Sequence, residues 1–262
     1  MNLPTFRKPP VIEVACGLQF TSNRPIRTVD LGLFWDHVRA DYPDTLEQPP
    51  LPQIPDPETV AQQLEVEFGF VPLPPLRRVW MISEDKSRLI QLQDNRFHYN
   101  WRRVNDGDPY PRFEAISDRF AEEWSRFEKW TRTVGIASVQ PQRYELTYVN
   151  HVTANNGLKR PGCNYELLRF FSPISGSLLK DPHVMAGELM YRLPSSKGTL
   201  SVSVKQGVKR PDNAPVLNIE LTARGSAQGV SLSEWLKVAH QWIVVGFVDI
   251  TTENAHKEWG LE

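Results

Sequence analysis

The chain has 262 residues, of which 40% are hydrophobic and 23% are charged. This composition is ordinary for a globular protein, and the length is sufficient to bury a substantial core. The formal net charge of -1 excludes general attraction to nucleic acid or to anionic membranes, so such a role would need a local basic patch. The chain has no apolar stretch of signal-peptide or membrane-spanning length, and only two cysteines. We therefore expect a cytoplasmic protein with no membrane partner and no disulfide framework.

The first elements of the chain are predicted to be a strand, a helix and a long insertion. Residues 11–20 alternate between apolar and polar side chains, which is the period of a strand that buries one face. Asp30 is expected to cap a helix that runs to about Ala40, with Leu33, Phe34 and Val38 on its apolar side. Residues 43–75 are rich in proline and are predicted to form an extended insertion with a short strand at 64–70.

A hairpin follows, and its turn sets the pairing of individual residues. Asp94 and Asn95 separate two strand-like runs, 88–93 and 96–101, and both residue types tolerate a two-residue turn. This turn pairs Leu92 with Phe97 on an apolar face that should pack under helices. The opposite face, called the polar face below, is predicted to meet water or a partner. Its candidate binding residues are Gln91, Gln93, Arg96, His98, Asn100 and Arg102.

Helical spacing of aromatic residues from Phe113 to Trp130 predicts one long amphipathic helix that covers the sheet. After it the chain repeats the plan, with a strand at 142–152, a short helical piece at 165–171, and strands at 184–193, 199–205 and 216–223. The motif Ser231-Leu-Ser-Glu234 is a capping box that begins a closing helix, and Thr252 is expected to cap a last turn.

These elements predict an α+β fold in which residues 1–138 and 139–262 are two copies of a β-α-β(3-4)-α unit. The first copy carries the proline-rich insertion at 43–75, and the two copies should form one fused globular unit. The expected result is one large antiparallel sheet with its long helices on one face. The element order resembles the saddle of TATA-binding-protein type and helix-grip folds, a likeness that carries no function by itself.

Several segments resemble a family of sporadically distributed bacterial proteins of uncharacterised function. The matching segments are Lys8-Pro-Pro-Val-Ile-Glu13, Leu89-Ile-Gln-Leu-Gln-Asp-Asn-Arg-Phe97, Asn100-Trp-Arg102, Tyr110-Pro-Arg-Phe-Glu114 and residues 240–260. The family has no established activity, so the resemblance implies no catalytic residue and no cofactor. Its patchy occurrence implies genes that move between genomes, often in antiviral defence or mobile-element loci.

No motif in the sequence specifies a reaction. The chain lacks a phosphate loop, a dinucleotide fingerprint, a zinc-ligand spacing and a nucleophile elbow, so we predict no catalytic residue, no cofactor and no metal. The favoured hypothesis is therefore a non-catalytic adaptor, regulator or inhibitor that binds another protein through the polar face or the proline-rich insertion.

Two alternatives remain open. Nucleic acid is a second possible partner, because Arg96 and Arg102 lie near Arg77, Arg78 and Arg103 in the chain or across the hairpin. The third hypothesis is a small-molecule or enzymatic pocket where the two halves meet. Its candidate residues lie on the strand that would join them: Tyr144, Tyr148, Asn150 and His151.

Overall fold

The computed structural model describes residues 3–51, 77–136, 139–160, 164–172, 178–179, 182–194, 198–209 and 211–262. Elements from the first part of the chain are β1 (Val11–Thr21), α1 (Thr28–Val38), β2 (Asp44–Gln48), β3 (Arg78–Ile82), β4 (Arg88–Gln93), β5 (Arg96–Arg102) and α2 (Phe113–Thr133). Those of the second part are β6 (Gln140–Val152), β7 (Gly187–Arg192), β8 (Thr199–Lys209), β9 (Ala214–Ser226), α3 (Leu232–Ile250) and α4 (Glu253–Trp259). Short 3-10 turns lie at Ala154–Asn156 and Asn164–Glu166.

The nine strands found in the described ranges form one sheet, in the order β2-β3-β4-β5-β1-β6-β9-β8-β7. Every neighbouring pair is antiparallel, so the predicted α+β class with a large antiparallel sheet is confirmed. Strands β1 and β6 pair with each other near the centre of the sheet, and β2 and β7 are its two edges. No α-helix among the residues that the structure describes is long and apolar enough to cross a membrane.

The predicted hairpin register is confirmed residue by residue. Gln93 lies opposite Arg96, and Leu92 lies opposite Phe97. The same register continues across the sheet, because Phe97 lies opposite Leu18 of β1, which in turn lies opposite Tyr144 of β6. A one-residue error would have moved every side chain to the other face, so the two-residue turn determines which side chains face the helices.

The hydrophobic core lies between this face of the sheet, the helix face, and the helices α1, α2 and α3. Phe97 is fully buried and its ring contacts Phe34 of α1 as well as Phe120, Trp124 and Phe127 of α2. The other half of the sheet packs on α3 in the same way. The predicted aromatic stripe on α2 is thus used for packing, and the helix ends just before Gly135, which has a φ of 71°.

The start of α1 differs from the prediction. The helix begins at Thr28 with Arg27 as its N-cap residue and ends at Val38, so Asp30 is not the cap. Asp30 lies in the first turn, where its carboxylate accepts the backbone N–H of Arg27 at 2.8 Å and pairs with Arg24 at 2.7 Å. Leu33 is 53% exposed, and Leu31 takes its place in the core. The helix therefore starts three residues earlier than expected, and Leu31 instead of Leu33 completes the buried face with Phe34 and Val38.

The proline-rich segment also contains an element that the sequence pattern did not indicate. Residues Asp44–Gln48 form the edge strand β2, whose side chains are mostly exposed and show no alternation. This strand exists because it pairs with β3, and an ion pair of 2.7 Å between Arg77 and Glu47 lies at that pair. The strand predicted at 64–70 lies outside the described residues.

In the second half, element types agree with the prediction better than their bounds do. The helical piece expected at 165–171 is only the 3-10 turn Asn164–Glu166, and β7 is shorter than predicted. Strands β8 and β9 are longer, because each is supported by a long partner along its length. The two predicted caps are confirmed: the Ser231 hydroxyl accepts the Glu234 N–H, and the Thr252 hydroxyl accepts the Ala255 N–H.

Candidate functional site

A cavity of about 640 Å³ lies on the helix face, close to the line where β6 of the second half meets the first half. The start of α2 forms one wall, α3 forms another, and residues 3–11 form a third. Strands β6 and β9 provide the floor. Most of the lining is apolar, with Val11, Leu221, Ile243, Val244 and Phe247 among the contributing side chains.

Backbone pairing holds the third wall in place. Phe6 forms an isolated antiparallel bridge with Leu261, and Thr5 exchanges hydrogen bonds of 3.2 and 2.8 Å with Glu262. The Phe6 ring packs against Phe247 at 5.7 Å between ring centroids. The wall is therefore tied to α3 and to the residues after α4, rather than lying loosely over the sheet.

Two tyrosine hydroxyls meet at the floor of the cavity. The oxygens of Tyr110 and Tyr148 are 3.0 Å apart, so one hydroxyl donates to the other. Burial raises the pKa of Tyr110 to about 12, and it raises the pKa of Tyr148 well above its ordinary value. Both phenols stay protonated at neutral pH, and the pair retains one further donor for a bound molecule.

A neutral histidine faces the same space. The His240 ring stacks on Phe113 with 4.0 Å between centroids and an interplanar angle of 10°. Burial lowers its pKa to about 4, although the carboxylate of Glu114 acts in the opposite direction. The ring nitrogens of His240 make no hydrogen bond with the residues that the structure describes, and the ring contacts are with Phe113 and Tyr148. Its imidazole is thus able to donate one hydrogen bond and accept another.

Among the described residues, three charged side chains line the cavity, and they lie at its rim. These residues, Arg112, Glu114 and Glu262, are all exposed. The Arg112 guanidinium lies 5.8 Å from the centre of the Tyr110 ring and donates to the carbonyl oxygen of Phe6 at 3.4 Å. Arg112 has a φ of 71°, a backbone conformation that costs free energy for a non-glycine residue and is often found at functional sites.

The structure places only half of the predicted pocket residues at the cavity. Tyr148 and Asn150 line it. Tyr144 is buried beside them but packs on Trp235 of α3, with ring centroids 5.6 Å apart. His151 lies on the polar face instead, because successive residues of a strand point to opposite faces of the sheet. Tyr144 and His151 therefore do not line this cavity.

Sequence reasoning missed most of the polar residues around the cavity. Tyr110, Arg112 and Glu114 lie in a loop and a first helical turn, and His240 lies on a helix 126 positions after Glu114. The sequence contained one indication of these residues: the segment 110–114 and the segment 240–260 both resemble the bacterial family. Nothing in the sequence showed that these stretches are neighbours in space.

The lowered pKa of His240 predicts a specific pH dependence of stability. Below its ordinary pKa of 6.5 the unfolded chain binds a proton at this histidine, whereas the folded protein binds it only below about 4. Lowering the pH through this window therefore lowers the free energy of unfolding. In His240→Phe, which retains an aromatic ring on Phe113, we expect a smaller loss of stability between pH 6.5 and 4 in urea unfolding. An unchanged slope in His240→Phe would contradict the prediction.

The polar face is not exposed as predicted. Gln91, Gln93, Arg96, His98 and Asn100 are each 3–7% exposed, and Arg102 is half-buried. The premise that this face is open to water or to a partner was wrong. Its side chains lie across neighbouring strands and hydrogen-bond one another, which offsets part of the cost of their burial. Nε of Arg78, Nε of Arg102 and Nδ1 of His98 are buried without a hydrogen-bond partner among the described residues.

One part of this network spans strands β3, β4, β5 and β1. The side-chain oxygen of Gln91 accepts hydrogen bonds from Arg78 at 2.8 Å and from the indole of Trp80 at 2.9 Å, and its amide donates to Asn100 at 2.7 Å. Asn100 then donates to Glu13. The guanidinium groups of Arg78 and Arg102 each lie 5.5 Å from the Trp80 ring, so this face also carries an aromatic residue that the prediction did not assign to it.

The second part centres on Glu145 of β6. His98 of β5 extends across β1 and places its Nε2 3.5 Å from one carboxylate oxygen, while Arg224 of β9 donates to the other at 2.5 Å. Burial alone would raise the pKa of Glu145, but the His98 hydrogen bond and the Arg224 charge outweigh it and bring the pKa to about 2. The imidazole passes over Gly17, where a Cβ atom would be 2.0 Å from the His98 Cδ2. These contacts link β5, β6 and β9 across β1, and Nδ1 of His98 is buried without a hydrogen-bond partner among the described residues.

Comparisons with protein-family models, with curated proteins and with solved structures find no match to this chain. The resemblance to the bacterial family therefore stays a prediction. Within the described residues, no group of three or more His, Cys, Asp or Glu side chains lies close enough together to hold a metal ion. The cavity and the polar face are the two features whose geometry bears on function.

Proposed function

We propose that the protein binds a small, mainly apolar and uncharged organic molecule in the cavity between α2 and α3. The observation that carries this proposal is the cavity of about 640 Å³ in which apolar walls surround a neutral imidazole and a hydroxyl pair. Sites for small molecules commonly have volumes of about 300–1,000 Å³, apolar walls and a few converging polar groups.

The polar groups define how such a molecule would be held. A planar ring fits beside the stacked rings of Phe113 and His240. A hydroxyl or ring N–H on the ligand then meets the imidazole of His240 or the hydroxyls of Tyr110 and Tyr148. Phenols and indoles combine these two properties.

The charge of the site favours a neutral ligand. At neutral pH Tyr110, Tyr148 and His240 are all uncharged, because burial raises the pKa of the phenols and lowers that of the imidazole. An ionised group placed among them would lose its hydration without gaining a counter-ion. Arg112 and Glu114 at the rim are able to contact only a polar end of the ligand that reaches solvent.

Filling the cavity should weaken ligand binding without unfolding the protein. Val244 lines the cavity, whereas the next residue on α3, Val245, is 36% exposed and does not line it. We expect Val244→Trp to weaken binding of indole and p-cresol at least about tenfold in a titration followed by ligand-observed NMR, and Val245→Trp to bind like the wild type. Equal binding by both variants, or no binding of either probe by the wild type at millimolar concentration, would overturn the proposal.

The role as an adaptor, regulator or inhibitor of another protein, and its link to antiviral defence, stay predictions. They rest on the absence of a catalytic motif and on the family resemblance. The burial of Arg96, His98 and Asn100 weakens the support for the nucleic-acid alternative, which stays a prediction because Arg77 is exposed and Arg102 and Arg103 are half-buried. A protein partner would therefore have to contact another surface, and co-purification with the product of a neighbouring gene is the direct test.

We also propose that the two halves are copies of one β-α-β-α unit arranged as a saddle. Strand order supports this: β1 pairs with β5, the last strand of its own meander, and β6 pairs with β9, the last of its meander. The two first strands then pair with each other at the centre. In such an arrangement the cavity lies beside the junction of the copies, where repeats often bind ligands.

A further inference from the structure

Strand β7 is one edge of the sheet, and its backbone has a defined outer side. The N–H of Leu193 donates to the carbonyl of Gly198 at 2.8 Å, which makes these two residues a hydrogen-bonded pair of the antiparallel ladder with β8. Hydrogen-bonded and non-hydrogen-bonded pairs alternate along such a ladder. The backbone groups of Leu189 and Tyr191 therefore point toward β8, and those of Glu188, Met190 and Arg192 point outward.

The outer side of β7 has no hydrogen-bonding strand among the residues that the structure describes. Its side chains are also accessible: Met190 is 55% exposed, Tyr191 is 44% exposed, and Glu188 and Arg192 are exposed. Sheet edges are commonly protected from further pairing by proline, lysine or a bulge. Strand β7 contains no proline, lysine or bulge, and its two charged residues, Glu188 and Arg192, are opposite in sign, so they do not prevent pairing with another strand.

We propose that a second copy of this chain pairs with β7 antiparallel, so that the sheet continues through a two-fold axis at Met190. The outward residues determine the register. Only the arrangement with Met190 opposite Met190 uses the backbone groups of all three outward residues in both copies. The same arrangement places Glu188 opposite Arg192 twice, once on each side of the axis.

Charge complementarity favours a second copy over a strand from another protein. In this register each carboxylate meets a guanidinium on the polar-face side, and Leu189 lies opposite Tyr191 on the helix-face side. The strand is therefore complementary to itself in charge and in apolar character. The cavity lies on the helix face beside β1, β6 and β9, so this pairing is independent of ligand binding.

Charge reversal provides the test. In Glu188→Arg or Arg192→Glu, each of the two symmetric pairs changes from attractive to repulsive, and we expect the dimer dissociation constant to rise about tenfold in sedimentation equilibrium. The double variant E188R/R192E restores opposite charges in the same register and should restore the dimer. Asp118→Arg on α2, the same change of charge at an exposed site, should leave association unchanged.

Three outcomes would overturn the proposal: a wild-type protein that is monomeric at all concentrations, a dimer that tolerates both single reversals, or a double variant that stays as weak as the single variants. Capture of a different protein by a monomeric wild type through β7 would assign the edge to another partner and would also overturn it. Circular dichroism of each variant separates loss of association from loss of folding.

Discussion

Replacing Phe97 with alanine is expected to lower the free energy of unfolding by about 3–5 kcal/mol, the usual cost of emptying a buried aromatic site. Phe97 is 0% exposed and its ring contacts aromatic rings of both α1 and α2. Its loss would leave a cavity between the sheet and two helices at once. Because α1, α2 and β5 are already held by several other contacts, the surrounding rings are not free to close the space.

Urea unfolding measures this effect, with Phe97→Leu as the matched control. Leucine keeps most of the apolar volume, so its cost should be clearly smaller than that of alanine. A loss below about 1 kcal/mol for Phe97→Ala would mean that this face of the hairpin does not contact the helices. That result would contradict both the predicted register and the observed packing.

The second large effect is expected at Gly17, where the polar face leaves no room for a side chain. A Cβ atom at this position would lie 2.0 Å from Cδ2 and 2.4 Å from Nε2 of His98. Gly17→Ala must therefore displace the imidazole from Glu145, and we expect a loss of about 1–3 kcal/mol, the range for an overpacked site. Gly32→Ala is the matched control, since nothing lies within 4 Å of its Cβ position and alanine favours the helix α1.

A double-mutant cycle shows whether the His98 ring causes the loss. In a His98→Ala background the obstruction is absent, so Gly17→Ala should cost much less than it does in the wild type. Equal costs in the two backgrounds would show that Gly17 is required for its backbone and not for the passage of His98. The stability of His98→Ala alone reports the worth of the contact with Glu145.

These two positions show how far sequence reasoning extended. The role of Phe97 followed from the Asp94-Asn95 turn and the alternation of the two strands, which are contacts between residues close in the chain. The role of Gly17 could not be predicted from the sequence. His98 of β5 reaches Glu145 of β6 over Gly17 only because β5, β1 and β6 are neighbours in that order. A glycine in a strand is only a weak sign of close approach until its neighbours are known.

The sequence by itself determined the features that depend on neighbouring residues: the α+β class, the hairpin register, the aromatic stripe of α2 and the caps at Ser231 and Thr252. Turn residues, helix caps and hydrophobic periodicity act over a few neighbouring residues, so they can be recognised in a single amino-acid sequence. These features account for most of the strands and helices.

Only the tertiary structure decided the strand order, the edge strand β2, the burial of the polar face and the composition of the cavity. Each depends on segments far apart in the chain, as the cavity shows by joining residues 3–11, Tyr110 and His240. A polar side chain is accessible or buried according to the partners that satisfy it, and those partners are selected by long-range packing. The alternation of polar and apolar residues in the sequence predicted that the polar face is a surface. The sequence did not show the hydrogen bonds of Gln91, Asn100 and Glu145, which allow this face to be buried.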